Sequence, residues 1–359
     1  MPRPTVARIH LDAIRHNYRL ASGLAGQAQA MAVIKADGYG HGIGPVASAL
    51  AGEARRYAVA CIEEATRIRA EGLSQPVVLL QGVHEAADLP TCNEQGFEPV
   101  IHSPRQLAWL KEKSEAAPRF WLKVNTGMNR LGFRPHELTS VVDQLANTGC
   151  QARLLGFVTH FACADHTEHP MTAEQTRLFE QATAPWPALM RSVGNSAAHF
   201  REGQTLFDWS RPGIMLYGGS PLESRTGLDL GLMPAMTLEA PLIATRILQP
   251  GESVGYGATW TAEQQTRMGM VAIGYGDGYP RHAGTGTPAA INGQRVRLLG
   301  RVSMDMLAVD LTQAPAAGEG DTVELWGPTV SVDEVAMHAG TIGYELLTGV
   351  TARVPRIYQ

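Results

Sequence analysis

Eight short apolar or β-branched runs recur along the first two-thirds of this chain, and that repetition limits its fold more than any other feature. They are Met31–Lys35, Tyr57–Ile62, Pro76–Leu80, Pro99–His102, Phe120–Val124, Leu154–Phe161, Met190–Val193 and Leu206–Ser210. Most segments between them are long enough for a helix. Several carry helical periodicity, such as Ile62–Ala70 and Pro135–Asn147, the latter with proline at its start. Each strand-plus-helix unit takes about 25–30 residues, within the size range of a (β/α)8 barrel. We expect that barrel, with an open doubly wound sheet as the alternative.

After about residue 230 the pattern changes. Pro234, Pro241 and Pro250 punctuate short alternating runs at Leu242–Leu248, Gly269–Ile273, Ala289–Ile291, Val296–Leu299, Leu307–Leu311 and Thr322–Leu325. Turn signals separate them, including Asn292-Gly293, the residue pair that a two-residue hairpin favours. The expected organisation is an α/β barrel over residues 1–230 and a mostly-β domain over residues 231–359.

Composition excludes several classes of function. With 30 basic and 34 acidic residues the formal charge is −4, which leaves no basic footprint for nucleic acid or an anionic membrane. No apolar run reaches the roughly 18 residues of a transmembrane helix. The N-terminal stretch MPRPTVARIHLD lacks the apolar region of a secretory signal. Cys61, Cys92, Cys150 and Cys163 form no C-x-x-C pair, so free thiols in a reducing cytoplasm are expected. A metal site is not expected, because His166 and His169 lack the H-E-x-x-H context and a cysteine at useful spacing.

In a parallel barrel, catalytic groups gather at the C-terminal ends of the strands. Lys35 ends the first expected strand, Lys123 and Arg130 follow the fifth, and His160 ends the sixth. Asn195-Ser196 follow the seventh and Arg211 ends the eighth. A lysine in an apolar strand is costly to bury charged. Imine-forming lysines resolve this, since desolvation favours the neutral nucleophile; a lysine snorkelling to a carboxylate resolves it equally. The turns Gly194-Asn195-Ser196 and Arg211-Pro212-Gly213-Ile214 sit after strands seven and eight, where barrels often bind phosphate. Together these features suit a phosphorylated aldehyde held as an imine. Pyridoxal phosphate fits, and a sugar phosphate fits nearly as well.

AVIKADGYGHG (32–42) resembles the cofactor-attachment signature of alanine racemases. The likeness continues in family order through LKVNTGMNRLGF (122–133), THFACAD (159–165), GNSAA (194–198), RPGIMLYG (211–218), VGYGATW (254–260), IGYGDGYPR (273–281), GRVSMDM (300–306) and VPRIY (354–358). The resemblance implies a (β/α)8 barrel with a C-terminal β domain. It also implies pyridoxal 5'-phosphate as cofactor, alanine as substrate and a homodimer whose active sites are shared.

Carried over by motif, Lys35 would hold the cofactor and act as one base, and Tyr256 of the other subunit would be the second. Tyr39, Ser196, Gly213, Ile214 and Tyr344 match phosphate-binding positions. Arg211 would face the pyridine nitrogen, and His160 would link it to Tyr256. Arg130 would contact the cofactor's phenolic oxygen and the substrate. Lys123 falls where many members carry a carbamylated lysine that orients that arginine. Met304 would offer its backbone N–H to the substrate carboxylate. Two positions depart from the commoner pattern, Gly276 for alanine and Asn125 for aspartate. The implied activity is racemisation of alanine in the cytoplasm, for cell-wall D-alanine or for alanine catabolism. The alternatives are a decarboxylase of the same fold type, which would set an acidic residue against the ring nitrogen, and a cofactor carrier made of the barrel alone.

Overall fold

In the computed structural model, which describes residues 4–359, the eight runs form one closed parallel sheet. Met1–Arg3 of the N-terminal stretch lie outside the described residues. Closure occurs within the first strand. Gln29–Ala30 pairs with the last strand, Trp209–Ser210; beyond Met31 the chain continues as Ala32–Val33 against Tyr57–Val59. The other strands, Val77–Leu79, Phe97–Ile101, Phe120–Lys123, Leu154–Val158 and Met190–Ser192, follow in chain order. The barrel is therefore realised and the open sheet is not.

Several strands stop short of the expected residue. Lys35 does not end a strand: pairing stops at Val33, Ile34 turns the chain (φ −121°, ψ 24°), and Lys35 opens the following turn. His160 likewise lies beyond Val158. The backbone at the barrel mouth is bent to serve the loops, and apolar patterning does not register that bend.

Helix Ile62–Ala70 has the expected limits. Pro135 opens a short 3-10 turn that leads into Leu138–Ala146, whose buried Leu138, Val141, Val142 and Leu145 form one face at helical spacing.

The second half is built on one long strand, Met236–Leu248. It pairs antiparallel with Thr322–Trp326 and Thr266–Val271, and Leu307–Asp310, Gln294–Leu299 and Pro288–Ile291 complete a ring. Asn292 (φ 53°) and Gly293 (φ 75°) make the expected two-residue hairpin. Two features extend the sequence reading. Val6–Ile9 is a strand of this second sheet, between Met236–Leu248 and Arg356–Tyr358. The region also carries helices Val332–His338 and Gly343–Gly349, the first started by a Ser331–Glu334 capping box.

Inside the N-terminal half of the barrel, Arg56 and Glu98 form an ion pair (Nε–Oε2 2.9 Å) with side chains 8% and 4% exposed. Trp121 Nε1 donates to the same carboxylate at 3.1 Å, and the guanidinium lies over the Trp209 ring. Removing one partner of such a pair strands a buried charge and costs about 3–5 kcal/mol. Arg56→Met should therefore lower the urea midpoint sharply. Adding Glu98→Leu should recover much of that loss, a non-additivity that a double-mutant cycle measures.

Candidate active site

Lys35 leads into a run of left-handed residues: Ala36, Asp37, Gly38 and Tyr39 have φ of 52°, 54°, 62° and 52°. For a residue with a Cβ this region costs roughly 1–2 kcal/mol, so such a turn persists only where its surroundings hold it. Asp37 Oδ1 accepts from the Ile43 N–H (3.0 Å) and from Arg67 (2.6 Å). His41 Nδ1 donates to the Gly38 and Tyr39 carbonyls at 3.1 and 2.9 Å.

Across the barrel mouth, Arg211 is buried and its hydrogen-bond partners are all neutral. Nη1 donates to Ser192 Oγ (2.6 Å); Nη2 donates to the Thr159 carbonyl (2.6 Å), the Val193 carbonyl (3.2 Å) and His160 Nδ1 (3.1 Å). Burial lowers its pKa to about 10, which still leaves it charged at neutral pH. A guanidinium can only donate, so His160 Nδ1 accepts and the neutral imidazole carries its proton on Nε2. Burial, followed by the nearby cations Lys123, Arg211, Arg130 and Lys35, holds that imidazole well below its ordinary pKa.

The loops after the fifth and sixth strands are joined by a polar network. Gln175 donates to Thr126 Oγ1 (3.2 Å) and the His160 carbonyl (3.0 Å), and accepts from the Ala162 N–H (2.9 Å). Thr126 bonds Thr159 at 2.8 Å. Sequence reasoning missed Gln175. The signal was present, since a polar residue sits on the buried face of helix Met171–Thr183 with Thr172 and Phe179.

These groups enclose a cavity of about 670 Å³. Its walls include Lys35, Tyr39, Lys123, Arg130, His160, Ser196, Arg211, Gly213, Ile214 and Tyr344, all expected from the sequence. Four of the lining side chains are cationic and one, Glu345, is acidic. Burial lowers the Lys35 amine, aided by Arg130, while Glu64 opposes the shift. Lys123 is pushed well below its usual range by burial and then by Arg211, Arg130 and Lys35. Such a cavity calls for an anion.

One end of it has the shape of a phosphate seat. Ser196 Oγ accepts from the Gly213 and Met215 N–H groups at 2.8 and 3.4 Å, which draws together the turns after strands seven and eight. A Cβ on Gly213 would fall 2.5 Å from the Tyr39 hydroxyl, so only glycine lets that phenol reach the turn. Burial raises the Tyr39 and Tyr344 phenols above their ordinary range, keeping both as O–H donors. Their rings lie 6.1 Å apart. These donors and the surplus of positive charge fit a phosphorylated aldehyde.

Tyr256 and Met304 are not brought to this cavity within the chain. Both belong to the second half and are exposed, at 70% and 53%. The two departures from the commoner pattern have local explanations. Asn125 Oδ1 accepts from the Gly127 and Asn129 N–H groups as a carboxylate would, while its amide donates to Asn129 Oδ1 (3.1 Å), which aspartate could not do. At position 276, a Cβ would lie 2.3 Å from Arg353 Nη1. That guanidinium bonds Asp305 (2.7 Å), beside Met304, and lies 3.4 Å from Asp277. Among the described residues no three histidine, cysteine or acidic side chains gather as a metal site, and no helix is long and apolar enough to cross a membrane.

Family models for the N-terminal and C-terminal domains of alanine racemase match residues 9–221 and 235–358. The chain belongs to the alanine racemase family. It is 69% identical, over the full length of both chains, to an alanine racemase of Marinobacter nauticus. The crystal structure of the biosynthetic alanine racemase from Pseudomonas aeruginosa superposes with a TM-score of 0.95 at 48% identity, covering 99% of each chain. An alanine racemase from Bartonella henselae with covalently bound pyridoxal phosphate matches over 100% of both chains, with a TM-score of 0.87 at 29% identity.

Two outcomes are expected of these alanine racemase features. Gly276→Ala should displace Arg353 from Asp305 and lower the melting temperature, and the loss should be smaller in an Arg353→Ala background, where only the Met304 carbonyl (3.1 Å) and Cγ (3.3 Å) still crowd the new Cβ. The second concerns acid. Burial depresses His41 and His199 to about 4 from the ordinary 6.5. The fold holds both neutral, so as pH falls below 6.5 the unfolded chain gains protons that the fold refuses. Stability should fall from about pH 6.5 to about pH 4 and then level, as far as these two groups decide it. Melting curves of His199→Gln should be flatter across that window than those of the parent.

Proposed function

We propose that this chain is a cytoplasmic alanine racemase that interconverts L- and D-alanine with pyridoxal 5'-phosphate carried on Lys35. The observation that carries the reading is the cavity in which Lys35 stands among cations, with a phosphate-shaped seat at one end. Tyr39, Ser196, Gly213, Ile214 and Tyr344 would take the phosphate, and Arg211 would face the pyridine nitrogen. The bound cofactor supplies the electron sink that stabilises negative charge at the substrate Cα.

Racemisation removes a proton from one face of Cα and returns one to the other, which requires two bases. Lys35 is the first; its depressed amine pKa favours the neutral form that accepts a proton. Tyr256 is the second, supplied by another copy of the chain. Its exposure supports that reading, as does its place outside the cavity of its own chain. The His160 Nε2–H is a donor suited to the Tyr256 oxygen, and Arg211 fixes the tautomer that presents it. Met304 would bring a backbone N–H to the substrate carboxylate and Arg130 would meet the opposite side. Burial favours the neutral form of the Lys123 amine, the form that would bind CO2 as a carbamate and orient Arg130. In this reading residues 1–230, joined by Tyr344, hold the cofactor, and residues 231–359 also complete the site of a partner in a homodimer. Four free cysteines support the reducing compartment. The decarboxylase alternative lacks an acidic group opposite the ring nitrogen, and the carrier alternative leaves the second domain unexplained.

Borohydride reduction and peptide mapping should place the pyridoxyl adduct on Lys35, and a chiral assay should detect racemisation of either alanine enantiomer. An adduct on Lys123 would overturn the assignment. Subunit exchange between Lys35→Ala and Tyr256→Phe variants should restore activity in the mixed dimers, because one of their two sites keeps both bases. Arg211→Glu should lower racemisation about 1,000-fold, equivalent to about 4 kcal/mol, and divert some alanine to pyruvate. Near-normal racemisation by a variant that still binds cofactor would leave Arg211 a structural role only.

A further inference from the structure

The ladder between the first two barrel strands ends too soon to hold Lys35. Ala32 and Val33 pair with Tyr57 and Ala58, and the last backbone bond runs from the Ile34 N–H to the Ala58 carbonyl (2.9 Å). Beyond it the first chain enters the left-handed turn and the second enters the loop before helix Ile62–Ala70. A single carboxylate spans the gap. Glu64 Oε1 accepts from the Ala36 N–H at 2.7 Å, and Oε2 accepts from the Ala60 N–H at 2.8 Å. Ala36 immediately follows Lys35, and both alanines line the cavity.

We propose that Glu64 is a positioning residue for the reaction: its carboxylate ties the left-handed turn that aims Lys35 to the end of the second barrel strand. The proposal rests on the role assigned to Lys35 above. Capping its own helix would explain only the bond to Ala60, close by in sequence. The bond to Ala36 crosses 28 residues and lands on the first residue of the left-handed run beside Lys35. The same helix grips the turn again one turn later, through Arg67 and Asp37 (2.6 Å). Glu64 also supplies the negative charge that opposes the effect of Arg130 and Arg211 on the Lys35 amine. One carboxylate thus sets both the direction of that amine and part of its affinity for a proton.

The test compares Glu64→Ala and Glu64→Gln with Glu63→Gln, which removes the same charge one residue earlier. In cofactor-free protein, amide hydrogen exchange of residues 35–40 should quicken at least tenfold in Glu64→Ala, less in Glu64→Gln and not at all in Glu63→Gln. In the loaded enzyme, kcat should fall about tenfold in Glu64→Ala while KM for alanine stays within twofold. The pH dependence of Lys35 acetylation in cofactor-free Glu64→Gln should shift downward. Unchanged exchange, or faster exchange with unchanged kcat, would overturn the proposal. If Glu64→Ala does not fold, Glu64→Gln decides by the same readings. Borohydride labelling separates the two ideas: a label on another lysine defeats the functional reading, whereas a label on Lys35 with unchanged exchange defeats the clamp alone.

Discussion

Gln29–Ala30 bonds to the last barrel strand, Ala32–Val33 bonds to the second, and Met31 between them is where the ring closes. Closure leaves the barrel without sheet edges, and parallel strands then deliver all their C-terminal ends to one rim. Lys35, Lys123, His160 and Arg211 are far apart in sequence and meet because of that rim alone. Most of the cavity descends from it, including the loops that bend inward, and helix Gly343–Gly349 of the second half adds Tyr344 and Glu345 to the wall.

Bringing those residues together has an electrostatic cost. Lys35, Lys123, Arg130 and Arg211 face one another with little acidic compensation, and burial adds to their mutual repulsion. The protein manages the most buried of them, Arg211, with carbonyls, a hydroxyl and an imidazole instead of a carboxylate. Neutral acceptors satisfy its N–H groups without cancelling its charge, so the cavity keeps its attraction for an anion. Packing at the barrel's other end follows the opposite rule, since the Arg56–Glu98 pair is compensated and has no charge to spare.

Much of this was legible in the sequence because it depends on local pattern. Strand positions follow from apolar runs, the Asn292-Gly293 hairpin from its turn chemistry, and the rim residues from where each run ends. Strand Val6–Ile9 was not legible, since four residues with partners more than 200 positions away carry no periodicity of their own. The left-handed turn after Lys35 was hidden for another reason. Ala36 and Tyr39 have no intrinsic preference for positive φ, and the contacts that impose it come from residues about 30 positions away and from His41. Gln175 was readable as a buried polar residue, but what it joins depends on loops that only the fold brings together.

Strand Val6–Ile9 sits between Met236–Leu248 and Arg356–Tyr358, so two segments about 350 residues apart in sequence are neighbours in one sheet. On a ribosome adding about 5–20 residues per second, the first strand emerges roughly 20–70 seconds before its last partner. The barrel between them can close during that wait, for its strands pair with near neighbours in sequence. The second sheet cannot be completed until Arg356–Tyr358 has been made. This threading makes Arg356–Tyr358 a checkpoint: a product that stops before it leaves one edge of strand Val6–Ile9 uncovered, the kind of surface that promotes aggregation and draws chaperones.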